Sequence, residues 1–224
     1  MNFFEAAERE VSLLAKDHLL SHPFLETIFK HKSLTKEQYS SFLVEIYHLI
    51  SRTPLYLSRA ASFCFEDEWL RDWFLDFAID ERGHDKLCLS DLKKMGLDAE
   101  AMVDCMAKPG AQAMAANNFF IAEHNPVALI GFAAATEGMG ANIAGDAASI
   151  IENGLGFPKN SCGFLKVHGQ EDIEHFASVK KAFEHYAEEP RLYAAMLSTW
   201  KYTVVNYGRL FSDAMEGVQL IESS

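Results

Sequence analysis

The sequence predicts an all-α chain, and three observations predict it. Apolar residues recur at spacings of three, four and seven almost throughout, no alternating stretch of useful length suggests a strand, and the breaks between periodic segments carry Pro, Gly or Asn. A length of 224 residues with 49% hydrophobic composition, including 17 Phe, allows one sizeable core. With no repeats, low-complexity tracts or long linkers, a single helical domain over residues 1–224 is expected.

The elements follow in order. A first helix is predicted over residues 3–20, ended by the His22-Pro23 step, and a short second one over 24–31. Ser33, Thr35 and Glu37 offer capping groups for a long helix reaching about residue 63, with a kink at Thr53-Pro54 because proline removes one backbone bond and crowds the preceding turn. A continuous helix over 68–95 stops at Gly96, and a looser segment over 98–106 leads to the break at Pro109-Gly110. Helices over 111–123 and 127–153 are separated by Asn125-Pro126, and Gly154 to Pro158 closes the second. The last two are predicted over 161–187 and 190–221.

A net charge of −12 argues against a nucleic-acid surface, which needs clustered Lys and Arg. Cys64, Cys88, Cys105 and Cys162 are scattered without a CxxC, the pattern of reduced thiols. The N-terminal stretch is amphipathic and acidic, unlike a signal peptide, and Glu137, Asn142 and Asp146 interrupt the most apolar run, so no membrane span is expected. A soluble, cytoplasmic protein is the expectation.

Four acidic positions, each on a predicted helix of its own, carry the chemistry. They are Glu45, Glu81 with His84 three residues on, Glu137, and Asp172 with His175 three residues on; His168 lies one turn before Asp172. Two single carboxylates plus two carboxylate-x-x-His pairs form the ligand recipe of carboxylate-bridged di-iron bundles. The pair pattern is weak alone, and Glu45 with His48 makes a third match. Placement is stronger. Leu70, Phe74, Phe77, Glu81, His84 and Cys88 share one predicted stripe, and His168, Asp172 and His175 share another, so the acids stand where core residues should be. Buried carboxylates cost several kcal/mol unless paired or coordinated. An ordinary buried hydrogen-bonded pair would look the same for Glu81 and His84, and His48 reads as a polar or packing position.

Imidazole and carboxylate donors without thiolate suit iron or manganese, ahead of zinc. Seven ligands exceed one tetrahedral zinc, which favours two ions in a site suited to dioxygen activation, with metal-assisted hydrolysis second. Phe42, Phe77, Cys88, Ile130, Phe132 and Phe176 are the expected substrate contacts, implying a small, largely apolar substrate such as an aliphatic carboxylate or an aromatic acid.

The blocks DERGHDKL (Asp80 to Leu87), AATEGMG (Ala134 to Gly140) and HGQEDIEHF (His168 to Phe176) resemble those of the di-iron oxidase branch of the heme-oxygenase-like helical proteins. The resemblance covers most of the chain. It implies a seven-helix heme-oxygenase-like bundle, shared with TenA-type thiaminases and pyrroloquinoline-quinone synthase. It also implies two Fe(II) ions held by Glu45, Glu81, His84, Glu137, His168, Asp172 and His175, with dioxygen and a small molecule as reactants and a homodimer as the assembly. The sister groups fit less well. No Cys lies between Ile130 and Glu137 where a TenA-type nucleophile would stand, and His18 with Gly138 to Gly140 is an imperfect match to a heme pocket. A quinone-forming relative would bring more basic residues to the site. Two other readings are a metal-free TenA-like protein that binds or hydrolyses a small heterocycle, and a non-catalytic interaction protein on the same fold.

Overall fold

In the computed structural model, which describes residues 2–217, twelve α-helical segments pack around one core and none of the described residues is in a strand. They are α1 (Phe3–Ala15), α2 (Pro23–Phe29), α3 (Lys36–Ile50), α4 (Thr53–Phe63), α5 (Glu68–Asp80), α6 (Asp85–Lys94), α7 (Ala99–Val103), α8 (Pro109–His124), α9 (Leu129–Met139), α10 (Gly145–Gly154), α11 (Gly163–Tyr186) and α12 (Pro190–Met215). Joined across α3–α4, α5–α6 and α9–α10, they make nine helices among the described residues, of which α2 and α7 are short and seven are long. Residues 218–221, expected to extend the last helix, lie outside the described region.

Local sequence explains most boundaries. Thr35 accepts from Gln38 N and the Gln38 side chain accepts from Thr35 N, a capping box that starts α3. The kink expected at Thr53-Pro54 is a complete break: α3 ends at Ile50, and Pro54 sits in the first turn of α4, where its missing N–H leaves no gap. Pro109 likewise opens α8. Asp67 accepts from Leu70 N to start α5. The end of α11 nearest the loop has no side-chain cap of its own; Asp91 on α6 supplies one by accepting from Phe164 N at 2.8 Å.

The expected continuous helix over 68–95 is corrected by the structure. Helix α5 stops at Asp80, residues 81–84 form a turn, and α6 restarts at Asp85. Gly83 adopts φ +100°, a conformation glycine takes readily and other residues rarely, and this lets the chain leave the helix there. Glu81 and His84 therefore bracket a turn instead of sharing one helical face.

The central stretch Pro126–Gly154 holds the core together. Eight of the eleven residues of α9 are buried, and the helix packs on both α11 and α12. By length and composition this stretch could cross a membrane, contrary to the expectation of no such run, yet 61% of its apolar window is buried inside the fold. Between α9 and α10 the winding loosens into a π-helical turn, Gly140–Ala144, which packs against α11. Gly169 on α11 lets the helix approach closely, since a Cβ there would stand 2.6 Å from Gly145 N.

Candidate metal centre

Four elements converge inside the bundle: the α5–α6 turn, α9, the π-helical turn and α11. Glu81, Glu137 and His175 place one ligand atom each within 4.8 Å of one another. His175 Nδ1 donates to Glu137 Oε2 at 3.3 Å, and its Nε2 lies 3.8 Å from Asp80 Oδ2. One turn back, His168 Nδ1 donates to Asp172 Oδ1 at 2.9 Å, and Asp172 Oδ1 is 4.0 Å from His175 Nδ1. His84 joins from the turn, with Nδ1 3.6 Å from Glu81 Oε2 and its ring edge-on to His168 at 4.9 Å. Six of the seven expected ligands are thus brought together.

Glu45 is the exception. It is buried on α3, but its carboxylate accepts from Lys108 N at 2.9 Å, and Lys108, Asp213 and Cys105 are its charged or ionisable neighbours. Its flank of α3 meets the start of α8, so helical spacing placed it inward without saying toward which neighbour. His48 turns the same way, with Nε2 3.5 Å from Cys105 Sγ.

The electrostatics are those of acids and imidazoles forced to share a dry space. Burial pushes the Glu137 carboxyl up to about 7, against the hydrogen bond from His175, which lowers it. The bond to Glu137 carries His175 up to about 9 in spite of burial. Burial raises Asp172, working against its bond from His168. Burial opposes the charge on His168, but Asp172 outweighs it and the imidazole is raised overall. At Glu81, burial is likewise outweighed, by His84 and then His168, and its carboxyl is held low.

Several donor atoms nevertheless have no partner. Glu81 Oε1, His84 Nδ1 and His168 Nε2 are all buried and unsatisfied among the described residues. An orphaned buried polar atom costs about 1–3 kcal/mol, and three in one cluster indicate a missing partner. With Nδ1–H donated to Asp172, the neutral His168 ring presents a lone pair at Nε2, the arrangement usual for a metal-bound histidine. The donor set therefore fits cations.

A cavity of about 90 Å³ adjoins the cluster, several times the space one water requires. Of the six expected substrate contacts, Phe42, Phe77 and Phe132 line it. Cys88, Ile130 and Phe176 do not. Cys88 and Ile130 are fully buried in the surrounding core, and Phe176 packs on Gly138 beneath the Lys180 ammonium. Each lies within eight residues of an expected ligand in sequence, but its side chain packs elsewhere in the bundle and not on the cavity. Sequence reasoning missed Tyr207, Phe211 and Phe24, which come from α12 and α2 and carry no local signal. It also missed Thr136, which donates to Glu137 Oε1 at 3.0 Å, and Gly140. A Cβ on Gly140 would overlap Asp172 Oδ2, so the acid rests on bare backbone. The small residues of the AATEGMG block were the available clue.

The family described as iron-containing redox enzymes matches residues 40–204. No curated protein sequence matches the chain. A domain of unknown function with a heme oxygenase-like fold from Shewanella denitrificans superposes with a TM-score of 0.86 at 19% identity, covering 95% of this chain and 92% of that one. A TenA homologue from Pyrococcus furiosus gives 0.75 at 14% identity over 95% and 99%, and one from P. horikoshii gives 0.76 at 15% over 97% and 100%. At these identities the likeness is one of fold, and the fold is the heme-oxygenase-like, TenA-like helical one.

Proposed function

Because the chain belongs to the family of iron-containing redox enzymes, we propose that Glu81, His84, Glu137, His168, Asp172 and His175 hold two iron ions, and that the protein uses dioxygen to oxidise a small, largely apolar molecule. One observation carries the reading: six acid and imidazole side chains converge in the core with three of their donor atoms unsatisfied. Iron bound there would supply the one-electron chemistry that dioxygen requires.

The chain's own residues have definable tasks. His168 orients Asp172 through their hydrogen bond, and Thr136 does the same for Glu137. Glu137 and His175 share a proton that the pair can release when a cation takes its place. The walls formed by Phe42, Phe77, Phe132 and Phe164 exclude water from the cavity beside them.

Protein loaded anaerobically with Fe(II) should hold close to two irons per chain, falling sharply in His84→Ala and His175→Ala. A content near zero, unchanged in both variants, would refute the reading. The competing reading is a metal-free pocket for a small heterocycle. It draws on the His175–Glu137 and His168–Asp172 bonds, which pair these groups without a cation. Binding of a thiamine fragment that persists in chelator would favour it. The cavity wall holds no cysteine, which argues against a thiaminase nucleophile there.

A further inference from the structure

The cavity carries its charge at one end only. Its charged lining residues are Glu81, Glu137, His168 and Asp172, all members of the metal cluster, and neither Lys nor Arg is among them. Most wall hydroxyls are committed or closed off. Thr53 is bonded to Tyr56 at 2.9 Å, Thr136 to Glu137, and the Tyr39 hydroxyl is shut away from open space. Tyr207 differs. It lines the cavity, and no hydrogen bond ties down its hydroxyl among the described residues. One turn further along α12, Phe211 packs on Tyr207 at 5.7 Å and stacks on Phe24 at 5.1 Å, and Phe42 closes the same wall at 5.3 Å from Phe24.

We propose that Tyr207 is the hydrogen-bond anchor of this cavity, and that in the metal-free protein it takes an uncharged molecule with one hydroxyl or carbonyl group and an apolar body lying on Phe24, Phe42 and Phe211. In the metal-free protein a free anion would meet buried carboxylates with neither Lys nor Arg in the wall to balance it, so that cavity favours the neutral counterpart of the expected aliphatic or aromatic acid. A pocket with one placed polar group in an apolar wall orients a ligand by that group and holds it by area. The polar atom is thereby held at Tyr207 while the body lies on the aromatic wall. Calling this ligand a substrate rests on the oxidase reading; the anchoring rests on the cavity alone.

The test uses metal-free full-length protein and three probes of one shape: 3-phenylpropan-1-ol, propylbenzene and 3-phenylpropanoate. Binding is followed by ligand-detected NMR and calorimetry in the wild type, Tyr207→Phe and Tyr39→Phe, with circular dichroism confirming that each folds. The alcohol should bind the wild type at least tenfold more tightly than the carboxylate. Tyr207→Phe should weaken the alcohol about five- to tenfold, the loss of one hydrogen bond, and leave propylbenzene within about twofold. Tyr39→Phe should change neither. Wild-type affinity for the alcohol in Tyr207→Phe, an equal loss for propylbenzene, carboxylate binding as tight as the alcohol, or no binding of any probe would overturn the proposal. None of these outcomes bears on iron content, which is measured separately, so the two readings fail independently.

Discussion

Replacing Gly140 by alanine strikes the proposed metal centre from the backbone side. The new Cβ would overlap Asp172 Oδ2 and stand 2.7 Å from its carboxyl carbon. Carbon atoms rest about 3.5–4.0 Å apart, so the carboxylate must retreat by roughly 1 Å. It has little room to do so, being held at 2.9 Å by His168 on a buried face of α11. Overpacking of this kind costs about 1–3 kcal/mol, offset in part by up to about 1 kcal/mol gained when alanine replaces glycine in a helix. The fold should survive, with Tm lowered by only a few degrees. Iron binding should suffer more, because a displaced carboxylate and a disoriented His168 together weaken affinity about 10- to 100-fold. Anaerobic Fe(II) titration against a competing chelator, with calorimetry of the same samples, measures both effects. Gly145→Ala is the matched control, since a Cβ there meets nothing within 4 Å; it should bind iron as the wild type does, with a Tm equal to or slightly above it. If Gly140→Ala binds two irons with wild-type affinity at an unchanged Tm, Asp172 is not part of the centre and the reasoning fails.

Glu45→Gln should leave iron content unchanged, because the structure turns this carboxylate to Lys108 N; loss of one iron would restore it to the ligand set. The same variant has a pH signature in metal-free protein. Burial raises the Glu45 carboxyl to about 7, against the bond from Lys108, so the fold favours its neutral form. Stability from this group is full below about pH 4.5 and is lost as pH rises through 7. Urea midpoints of Glu45→Gln should therefore fall less than those of the wild type between pH 5 and 8, and parallel curves would count against the placement. Asp91→Ala removes the acceptor for Phe164 N at the start of α11 and should destabilise the fold by about 1–3 kcal/mol; Asp91→Asn, which keeps an acceptor, should recover much of it, and equal losses would mean the charge matters more than the cap. His48→Ala should lower neither iron content nor affinity, as its ring faces Cys105; a change in either would place it closer to the centre than the structure does.

The sequence by itself determined the helical class and the order of the long helices, and it singled out six of the acids and imidazoles that the fold gathers in one cluster, together with Glu45, which the fold turns elsewhere. Those signals are local: apolar spacing reports which face of a helix turns inward, capping residues report where it starts, and a carboxylate on an inward face reports that something must balance it. His168, Asp172 and His175 were legible because one continuous helix, α11, carries all three. Tertiary structure alone decided which inward faces meet. Glu45 and Glu137 both stand on apolar faces, yet one caps α8 and the other joins the cluster, because the helices neighbouring each differ. Periodicity likewise could not distinguish a helix from two helices joined at Glu81–His84, where a single glycine with positive φ reopens the chain. The cavity wall was the least legible part. Phe24, Tyr207 and Phe211 are far from the ligands in sequence, and they reach the site only because α2 and α12 pack across it, a long-range choice that no local pattern encodes.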